Sequence, residues 1–204
     1  MNQVVICEGL NMSTGEKVEK VKMFADEAHG EQMRKFAKER YIVHPIRVME
    51  IVREYSQEVP LLAASLLHDV LEDTQVTPEQ LKLFLDSVMN QAESDETFKL
   101  VTELTDVFTK TNYPNLNRRT RRTREAERLA DVSSDAHTVK YADIIDNVLD
   151  ISKHDTDFAL PYMRESKQLL QHMTNGNPAL YARALDVVNG AMQQYFQKAN
   201  IKAL

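Results

Sequence analysis

Residues 61–74 read Leu61-Leu62-Ala63-Ala64-Ser65-Leu66-Leu67-His68-Asp69-Val70-Leu71-Glu72-Asp73-Thr74. Leucine and alanine are strong helix formers, and the absence of an internal glycine or proline predicts one helix that opens near Pro60. The apolar content predicts that this helix is buried. Its second half nevertheless carries an imidazole and three carboxylates, on His68, Asp69, Glu72 and Asp73.

The charged residues of this stretch fall on one side of the predicted helix. At about 100° per residue, Asp69, Glu72 and Asp73 project from the same half of the circumference as the imidazole. The opposite arc holds the apolar residues Ala63, Leu66, Leu67, Val70 and Leu71. Three carboxylates this close together repel one another unless a cation lies among them. The stretch therefore predicts a metal site on a helix whose other face packs into a core.

Size and composition predict one helical domain. The chain has 204 residues, of which 43% are hydrophobic, enough for one full core and hardly enough for two. It has only five glycines and no alternating runs of β-branched residues, a composition that favours an all-α fold. We therefore expect a single all-α domain that spans residues 1–204.

Other composition features limit the partners and the compartment. The first residues lack the features of a signal peptide, and no apolar run approaches the roughly 20 residues of a membrane span. The single cysteine, Cys7, excludes an intrachain disulfide and a cysteine-based zinc site, and we expect it to be inert. The formal net charge of −6 argues against general nucleic-acid binding. A cytoplasmic protein without a membrane or nucleic-acid partner is predicted, and the oligomeric state is left open.

One segment departs from the acidic average. Residues 118–128 contain six arginines against two glutamates, a formal charge of +4, which leaves −10 for the rest of the chain. An isolated basic patch on an acidic protein suits a small polyanionic ligand better than DNA, although a solvated helix face is the alternative interpretation. We expect part of the segment to contribute to binding a polyphosphate, with Arg119, Arg122 and Arg128 as the candidates.

Capping signals and apolar spacing predict the other helices. Ser13-Thr14-Gly15-Glu16 fits a capping box, and Gly30 can end the helix that follows. Pro45 is placed as a first-turn proline for a helix that runs through Tyr55. Thr77-Pro78-Glu79-Gln80 is another capped start. Further helices are expected over about 96–110, 117–131, 134–153, 157–173 and 178–198.

Candidate metal ligands lie on three predicted helices. One histidine precedes the Pro45 helix, a histidine–aspartate pair lies within residues 61–74, and one aspartate follows Lys140-Tyr141-Ala142. Two imidazoles and two carboxylates suit a divalent ion such as Mn²⁺, Fe²⁺, Co²⁺ or Zn²⁺. On an octahedral ion, four protein ligands leave two positions for water and a substrate oxygen, which hydrolytic chemistry requires. The four candidates are His44, His68, Asp69 and Asp143.

Two further carboxylates could take part in the chemistry. Glu72 and Asp73 lie one turn beyond the histidine–aspartate pair and could take a proton from an attacking water. Each part alone has an ordinary interpretation: His44 as a hydrogen-bonded surface histidine, and Asp143 as a common helix acid. The histidine–aspartate pair with two acids one turn later on a buried helix favours the metal site.

Four segments, in this order along the chain, resemble one enzyme family. They read Ala28-His29-Gly30-Glu31-Gln32-Met33-Arg34-Lys35, then Tyr41-Ile42-Val43-His44-Pro45, then Leu67-His68-Asp69-Val70-Leu71-Glu72-Asp73-Thr74, then Val139-Lys140-Tyr141-Ala142-Asp143. This order resembles the hydrolase domain of the RelA/SpoT alarmone enzymes, which belongs to the HD phosphohydrolase superfamily. The resemblance covers roughly residues 16–155, followed by C-terminal helices over 157–198. It implies a helical bundle that holds one Mn²⁺.

The resemblance also implies roles for individual residues. It implies metal ligation by His44, His68, Asp69 and Asp143, and water activation by Glu72 and Asp73. It implies substrate binding by Arg34, Lys35, Lys140 and Asn147. The implied reaction is hydrolysis of the 3′-diphosphate of an alarmone nucleotide such as (p)ppGpp, with release of pyrophosphate. We expect a hydrolase without a synthetase domain, because the chain ends shortly after the hydrolase region.

The departures from the family pattern concern the nucleotide side of the site. Ile144 and Asp146 stand where the family usually has arginine and histidine, and Asp150 stands where it has a threonine associated with the base pocket. Glu31 replaces a glycine, and residues 36–40 lack the usual glycine and proline. The base is therefore open between guanine, adenine and others. The alternatives are an HD nucleotide phosphatase that acts on a different nucleotide and a protein that binds an alarmone without cleaving it.

Overall fold

Helices account for the architecture of the computed structural model, which describes residues 12–35, 37–154 and 156–202. Those residues contain no β-strand, and their single extended pairing is an isolated antiparallel bridge between Met33 and Arg40. The predicted all-α class is confirmed, while Cys7 lies outside the described residues. The helices are α1 (Thr14–His29), α2 (Val43–Arg53), α3 (Val59–Leu67), α4 (Val70–Asp73), α5 (Pro78–Val88), α6 (Gln91–Leu104), α7 (Arg118–Ala130), α8 (Ser134–His154), α9 (Thr156–His172) and α10 (Pro178–Lys202).

Helix α3 lies in the centre of the hydrophobic core. Its side chains are buried from Leu61 through Leu67, and it packs against α1, α2, α6 and α8. Burying one leucine side chain contributes about 1.5–3 kcal/mol, so a leucine-rich helix covered on all sides contributes a large share of the stability. Because α3 is held from every direction, the residues that follow it start from a fixed position.

The prediction of one continuous helix over residues 61–74 is wrong in one respect, because the observed helix is interrupted. Helix α3 ends at Leu67, His68 and Asp69 form a turn, and the single-turn helix α4 begins at Val70. The imidazole of His68 bonds through Nδ1 to the carbonyl of Ser65, at 2.8 Å. In an uninterrupted helix, that carbonyl would accept from the amide of Asp69. The side chain thus competes with the backbone ladder, and the turn places the histidine and the aspartate side by side.

Most of the other helix predictions are confirmed within a few residues. Ser13 and Thr77 form the predicted capping boxes of α1 and α5, and Gly30 ends α1 with φ 52°. The helix expected over 96–110 is corrected, because α6 begins at Gln91, after a capping box on Asn90, and ends at Leu104. The amides of residues 107 and 108 donate to the buried carboxylate of Glu125 on α7, so they take no part in a helix.

The loop between α1 and α2 is closed by backbone hydrogen bonds. The amide of Tyr41 donates to the carbonyl of Gln32 at 2.8 Å, and the amide of Arg34 donates to the carbonyl of Glu39 at 3.0 Å. This loop delivers Tyr41 and the first turn of α2, with His44, to the turn that follows α3. Two segments that are distant in sequence, the start of α2 and the turn after α3, therefore meet beside α8.

The C-terminal helices α9 and α10 both pack on α8. Their connection approaches α8 closely, because the hydroxyl of Tyr141 donates to the carbonyl of Met173 at 2.7 Å and accepts from the amide of Gly176 at 3.2 Å. A Cβ atom at position 176 would lie 2.8 Å from the backbone nitrogen of Thr138, so only glycine fits there without a shift.

Among the described residues, none of the helices has both the length and the apolar character that a membrane span needs.

Candidate metal centre and active-site cavity

Two buried histidines face each other across the gap between α2 and the turn after α3. Nδ1 of His44 lies 2.7 Å from Oδ2 of Asp146, and Nδ1 of His68 lies 2.8 Å from the carbonyl oxygen of Ser65. Both partners accept hydrogen bonds, so Nδ1 of each neutral ring carries the proton and Nε2 carries the lone pair. The imidazole centroids are 5.2 Å apart.

Two carboxylates lie beside the Nε2 atoms. Oδ2 of Asp69 lies 3.1 Å from Nε2 of His68 and 3.7 Å from Nε2 of His44. Oδ1 of Asp143 lies 3.2 Å from Nε2 of His44 and 3.7 Å from Nε2 of His68. The structure therefore brings together all four residues that the sequence proposed as ligands. Three of them, His44, His68 and Asp69, offer atoms that lie within 4.8 Å of one another, as a bound ion requires.

The donor set fits a divalent cation. Nε2 of His68 is buried and makes no hydrogen bond within the described residues, and an orphaned buried polar atom is costly unless something binds it. Burial opposes a charged imidazole, yet the carboxylates of Asp69 and Asp143 outweigh burial and raise the pKa of His68 to about 10. This negative potential attracts a proton in the absence of metal and equally favours a metal ion. Imidazole and carboxylate ligands suit Mn²⁺, Fe²⁺, Co²⁺ and Zn²⁺ alike.

A cavity of about 280 Å³ opens beside the four residues. One side, called the metal wall, comes from the α2 and α4 region and from α8. It contains Tyr41, Asp69, Glu72, Asp73, Lys140, Asp143 and Asn147. A second group of lining residues, called the outer wall, comes from α7 and α9. It contains Arg122, Glu125, Ala126, Leu129, Tyr162, Glu165, Ser166, Gln168 and Leu169.

Glu72 and Asp73, the two carboxylates that the sequence suggested for water activation, line the cavity on the metal wall. Burial, together with the nearby carboxylates of Asp106 and Asp69, raises the pKa of Glu72 to about 7. Burial and Asp69 also raise the pKa of Asp73. Oε2 of Glu72 accepts from the amide of Asp106 at 3.2 Å. A carboxylate with a pKa near neutrality can take and return a proton at physiological pH.

Lys140 and Asn147 contact different oxygen atoms of the ligand candidate Asp143. Nζ of Lys140 lies 2.9 Å from Oδ2 of Asp143, and Nδ2 of Asn147 donates to its Oδ1 at 2.6 Å. Burial opposes ionisation of Asp143, but Lys140 and the two imidazoles more than offset burial and hold the pKa of this carboxyl well below its usual range. Asp143 is thus an anion, and Lys140 brings a positive charge to the cavity.

The other two predicted substrate residues do not line this cavity in the part of the chain that the structure describes. Arg34 is buried and donates to Asp150 at 2.8 Å and to Asn147 at 3.3 Å. Nζ of Lys35 lies 5.7 Å from the ring centroid of Phe158. Arg34, which the resemblance assigns to substrate binding, is therefore already hydrogen-bonded to carboxylate and amide side chains of α8.

The arginine-rich segment is α7, and its residues have different surroundings. Arg122 lines the cavity and lies 2.9 Å from Oδ2 of Asp106. Arg118 pairs with Glu165 at 2.7 Å on the protein surface. Arg128 pairs with Glu125 and donates to the carbonyls of residues 103 and 105. Of the three arginines named from the sequence, Arg122 alone is among the described residues that line the cavity.

Sequence reasoning missed several residues that support the site. The hydroxyl of Tyr41 donates to Oδ2 of Asp69 at 2.6 Å, and its position in the motif beside His44 is a signal that could have identified it. Asp146 stood out only as a departure from a family pattern, and Arg47, Asp106 and Tyr162 carried no sequence signal. Their positions depend on which faces of the helices pack together, and the periodicity of the sequence does not determine that packing.

The chain is similar in sequence to known proteins. A family model described as HD domain matches residues 22–175. The guanosine-3′,5′-bis(diphosphate) 3′-pyrophosphohydrolase of Aquifex aeolicus is 43% identical over 67 residues, which are 33% of this chain and 10% of that protein. This chain thus aligns with about a tenth of the length of that relative. The mouse (Mus musculus) enzyme of the same name, MESH1, is 32% identical over 133 residues, which are 64% of this chain and 66% of that protein.

A solved structure shares the fold. It is that of a metazoan ortholog of SpoT described as hydrolysing ppGpp, with a TM-score of 0.72 and 24% identity. The match covers 85% of this chain and 94% of that chain. At this identity the likeness concerns the fold alone. Because the family model matches well over half of the sequence, this chain belongs to the HD-domain family, whose fold is that of metal-dependent hydrolases.

Proposed function

We propose that this protein hydrolyses the 3′-diphosphate of an alarmone nucleotide, of the (p)ppGpp type, with release of pyrophosphate. One observation carries the proposal: Asp69 of the histidine–aspartate cluster, the carboxylate of Glu72 and the ammonium of Lys140 line a single cavity. The names of the relatives from Aquifex aeolicus and mouse support the substrate class. The reaction adds the water oxygen to the phosphorus next to O3′ and breaks the bond between that phosphorus and O3′. The 3′ oxygen then takes up a proton.

The ligands of the metal in this proposal are His44, His68, Asp69 and Asp143. Each histidine contacts both aspartates, and the Nε2 atom lies 3.1–3.7 Å from the nearest carboxylate oxygen in these four contacts. A divalent ion bound there would supply Lewis-acid activation of water and of a phosphoryl oxygen. Mn²⁺ is the proposed ion, with Fe²⁺, Co²⁺ and Zn²⁺ as ions of similar ligand preference.

Glu72 is the proposed general base. Its pKa of about 7 leaves a substantial fraction ionised at neutral pH, while the group stays basic enough to take a proton from water. Asp73, one residue further along α4, is the second carboxylate proposed for water activation, because it lines the same cavity. Both side chains remain outside the proposed ligand set, so both are available to the attacking water.

Substrate binding in this proposal combines cationic groups from both walls. Lys140 on the metal wall and Arg122 on the outer wall would face the diphosphate, and Asn147 would bind from α8. Lys35 is retained as a candidate for the nucleotide because its side chain is exposed near Phe158. Arg34 is proposed to act through Asn147, since its guanidinium donates to that side chain. Base identity stays open between guanine, adenine and others.

The test is a product assay on the purified protein. With Mn²⁺, the assay offers ppGpp, ppApp and deoxynucleoside triphosphates separately and measures pyrophosphate and orthophosphate. Pyrophosphate from ppGpp or ppApp is the expected result, and the Glu72→Gln variant is the matched inactive control. Orthophosphate release from another nucleotide would replace the proposal with an HD nucleotide phosphatase. Tight alarmone binding without any product would identify a binding protein. A single domain over residues 1–204 and a cytoplasmic location stay predictions.

A further inference from the structure

Asp146 occupies the position behind His44. We propose that Asp146 is a positioning residue that fixes the His44 imidazole for metal binding, an inference that rests on the metal site of the proposed function. Its Oδ2 lies 2.7 Å from Nδ1 of His44, on the side of the ring away from the ligand cluster. Both side chains are buried, with exposed fractions of 6% for Asp146 and 1% for His44. Little solvent reaches this contact.

The contact determines which nitrogen of His44 is available. An ionised carboxylate only accepts hydrogen bonds, so Nδ1 of a neutral imidazole beside it must carry the proton. The lone pair is then on Nε2, the atom that lies 3.2 Å from Asp143 and 3.7 Å from Asp69. A carboxylate behind a metal-binding histidine also fixes the ring orientation and raises the basicity of the ligand atom. Asp146 therefore sets both the tautomer and the direction of this ligand.

Asp146 is itself held in place by two arginines. Nε of Arg47 donates to Oδ1 at 2.6 Å, and Nη2 of the same guanidinium donates to Oδ2 at 3.4 Å. Nη2 of Arg34 lies 3.6 Å from Oδ2. Arg47 also pairs with Glu39 at 2.8 Å. A buried carboxylate needs such compensation to stay ionised, and the forked donor restricts its rotation.

The two histidines of the cluster differ in this respect. His68 is oriented by a backbone carbonyl, that of Ser65, which no side-chain substitution removes. His44 is oriented by a side chain, at a position where the family pattern that this sequence resembles usually has histidine. The orientation of one candidate ligand therefore depends on a residue at which this chain departs from that pattern, and the dependence can be tested by substitution.

The experiment measures metal affinity in the full chain. Mn²⁺ is titrated calorimetrically into the parent, Asp146→Ala and Asp146→Asn proteins after removal of bound metal. We expect Asp146→Ala to weaken Mn²⁺ binding by about 10- to 100-fold, the usual effect of removing such a partner. Asp146→Asn should weaken it less, because its amide oxygen can still accept from Nδ1. Should the alanine variant fail to fold, as judged by circular dichroism, the asparagine variant supplies the comparison with the parent.

A spectroscopic measurement separates orientation from general damage. In protein loaded with diamagnetic Zn²⁺, ¹⁵N-correlated spectra of the histidine rings should show His44 protonated on Nδ1, and this signal should be lost or shifted in Asp146→Ala. Asp150→Asn is the matched control, because Asp150 lies one turn further along α8 and pairs with the same Arg34. Its Mn²⁺ affinity should stay close to that of the parent.

Two results would overturn the inference. The first is unchanged Mn²⁺ affinity in Asp146→Ala. The second is an equal loss of Mn²⁺ affinity in Asp146→Asn and Asp150→Asn, because the loss would then follow from the removed negative charge beside Arg34 and not from the orientation of His44. Neither measurement requires turnover. A parent protein that binds Mn²⁺ and cleaves no alarmone would refute the proposed function and leave this inference intact. A parent that cleaves the alarmone, with an Asp146→Ala variant that binds Mn²⁺ equally well, would refute this inference alone.

Discussion

The metal wall and the outer wall of the cavity are built in different ways. Each histidine of the metal cluster has its Nδ1 atom fixed by a partner, and Asp69 is fixed by the hydroxyl of Tyr41. The outer wall mixes apolar side chains with Arg122 and Glu165 on two amphipathic helices. The side chain of Arg122 is 48% exposed, against 2% for His68. The proposed histidine ligands thus lie on buried positions, whereas Arg122, a proposed substrate-binding residue, lies on a partly exposed one.

The largest effect should come from breaking the metal wall. His68→Ala or Asp69→Ala removes one proposed ligand from a buried site, so bound Mn²⁺ and nucleotide turnover should both fall to background. Metal content after gel filtration and the pyrophosphate assay measure the two effects. His172→Ala, an exposed histidine in the last turn of α9, is the control and should leave both unchanged. A His68→Ala protein with stoichiometric Mn²⁺ and full turnover would remove the basis for the metal site.

A smaller effect on the same wall should separate chemistry from metal binding. Glu72→Gln keeps the shape and removes the basicity, so kcat should fall by roughly 10²–10⁴-fold with Mn²⁺ affinity retained. Because the base must be ionised, kcat of the parent should rise as the pH passes through about 7 and level off roughly one pH unit above that value. That rise should be absent in the variant.

The outcome that would contradict this role is loss of the metal together with the carboxylate, because Glu72 would then be a ligand. An unchanged rate would transfer the role to Asp73 or leave the ion as the only activator of water. The paired variant Glu72→Gln/Asp73→Asn decides between these two, since residual activity in it points to the ion.

The same contrast explains what could be predicted from the sequence. The metal wall depends on short-range features, such as the pair His68–Asp69 with Glu72 one turn later, and the spacing of residues along the chain is enough to identify them. The interruption after Leu67 was missed because it results from a side-chain bond to Ser65 that helix propensity does not include. Arg34 was assigned by resemblance to substrate binding, whereas its partner Asp150 lies on a distant helix. The faces that α7 and α9 turn to the cavity depend on packing angles, which local patterns leave open.

The position of the outer wall should depend on the close approach of Gly176 to α8. In Gly176→Ala, the new Cβ would lie 2.8 Å from the backbone nitrogen of Thr138, which cannot rotate away. We expect a loss of about 1–3 kcal/mol in the free energy of unfolding, the usual cost of overpacking. Urea unfolding of the metal-free protein measures it.

Gly190→Ala is the control for this prediction. Gly190 lies inside α10, and a Cβ there would meet nothing within 4 Å. Alanine should therefore stabilise that helix by about 0.5–1 kcal/mol. If Gly176→Ala were as stable as the parent, the connection between α9 and α10 would relax freely and could not hold the outer wall in place.

The smallest effect should distinguish two arginines of α7. Arg122 lines the cavity, whereas Arg118 is not among the described residues that line it. The two side chains are otherwise matched, because each is 48% exposed and each lies near Glu165. Exposed ion pairs contribute up to about 1 kcal/mol, so Arg122→Gln should raise KM for the alarmone by roughly fivefold and weaken its dependence on salt. Arg118→Gln removes the same charge one turn away and should change KM little. If both variants raised KM equally, the basic segment would act through its overall field, and the outer wall would contribute attraction without a specific contact.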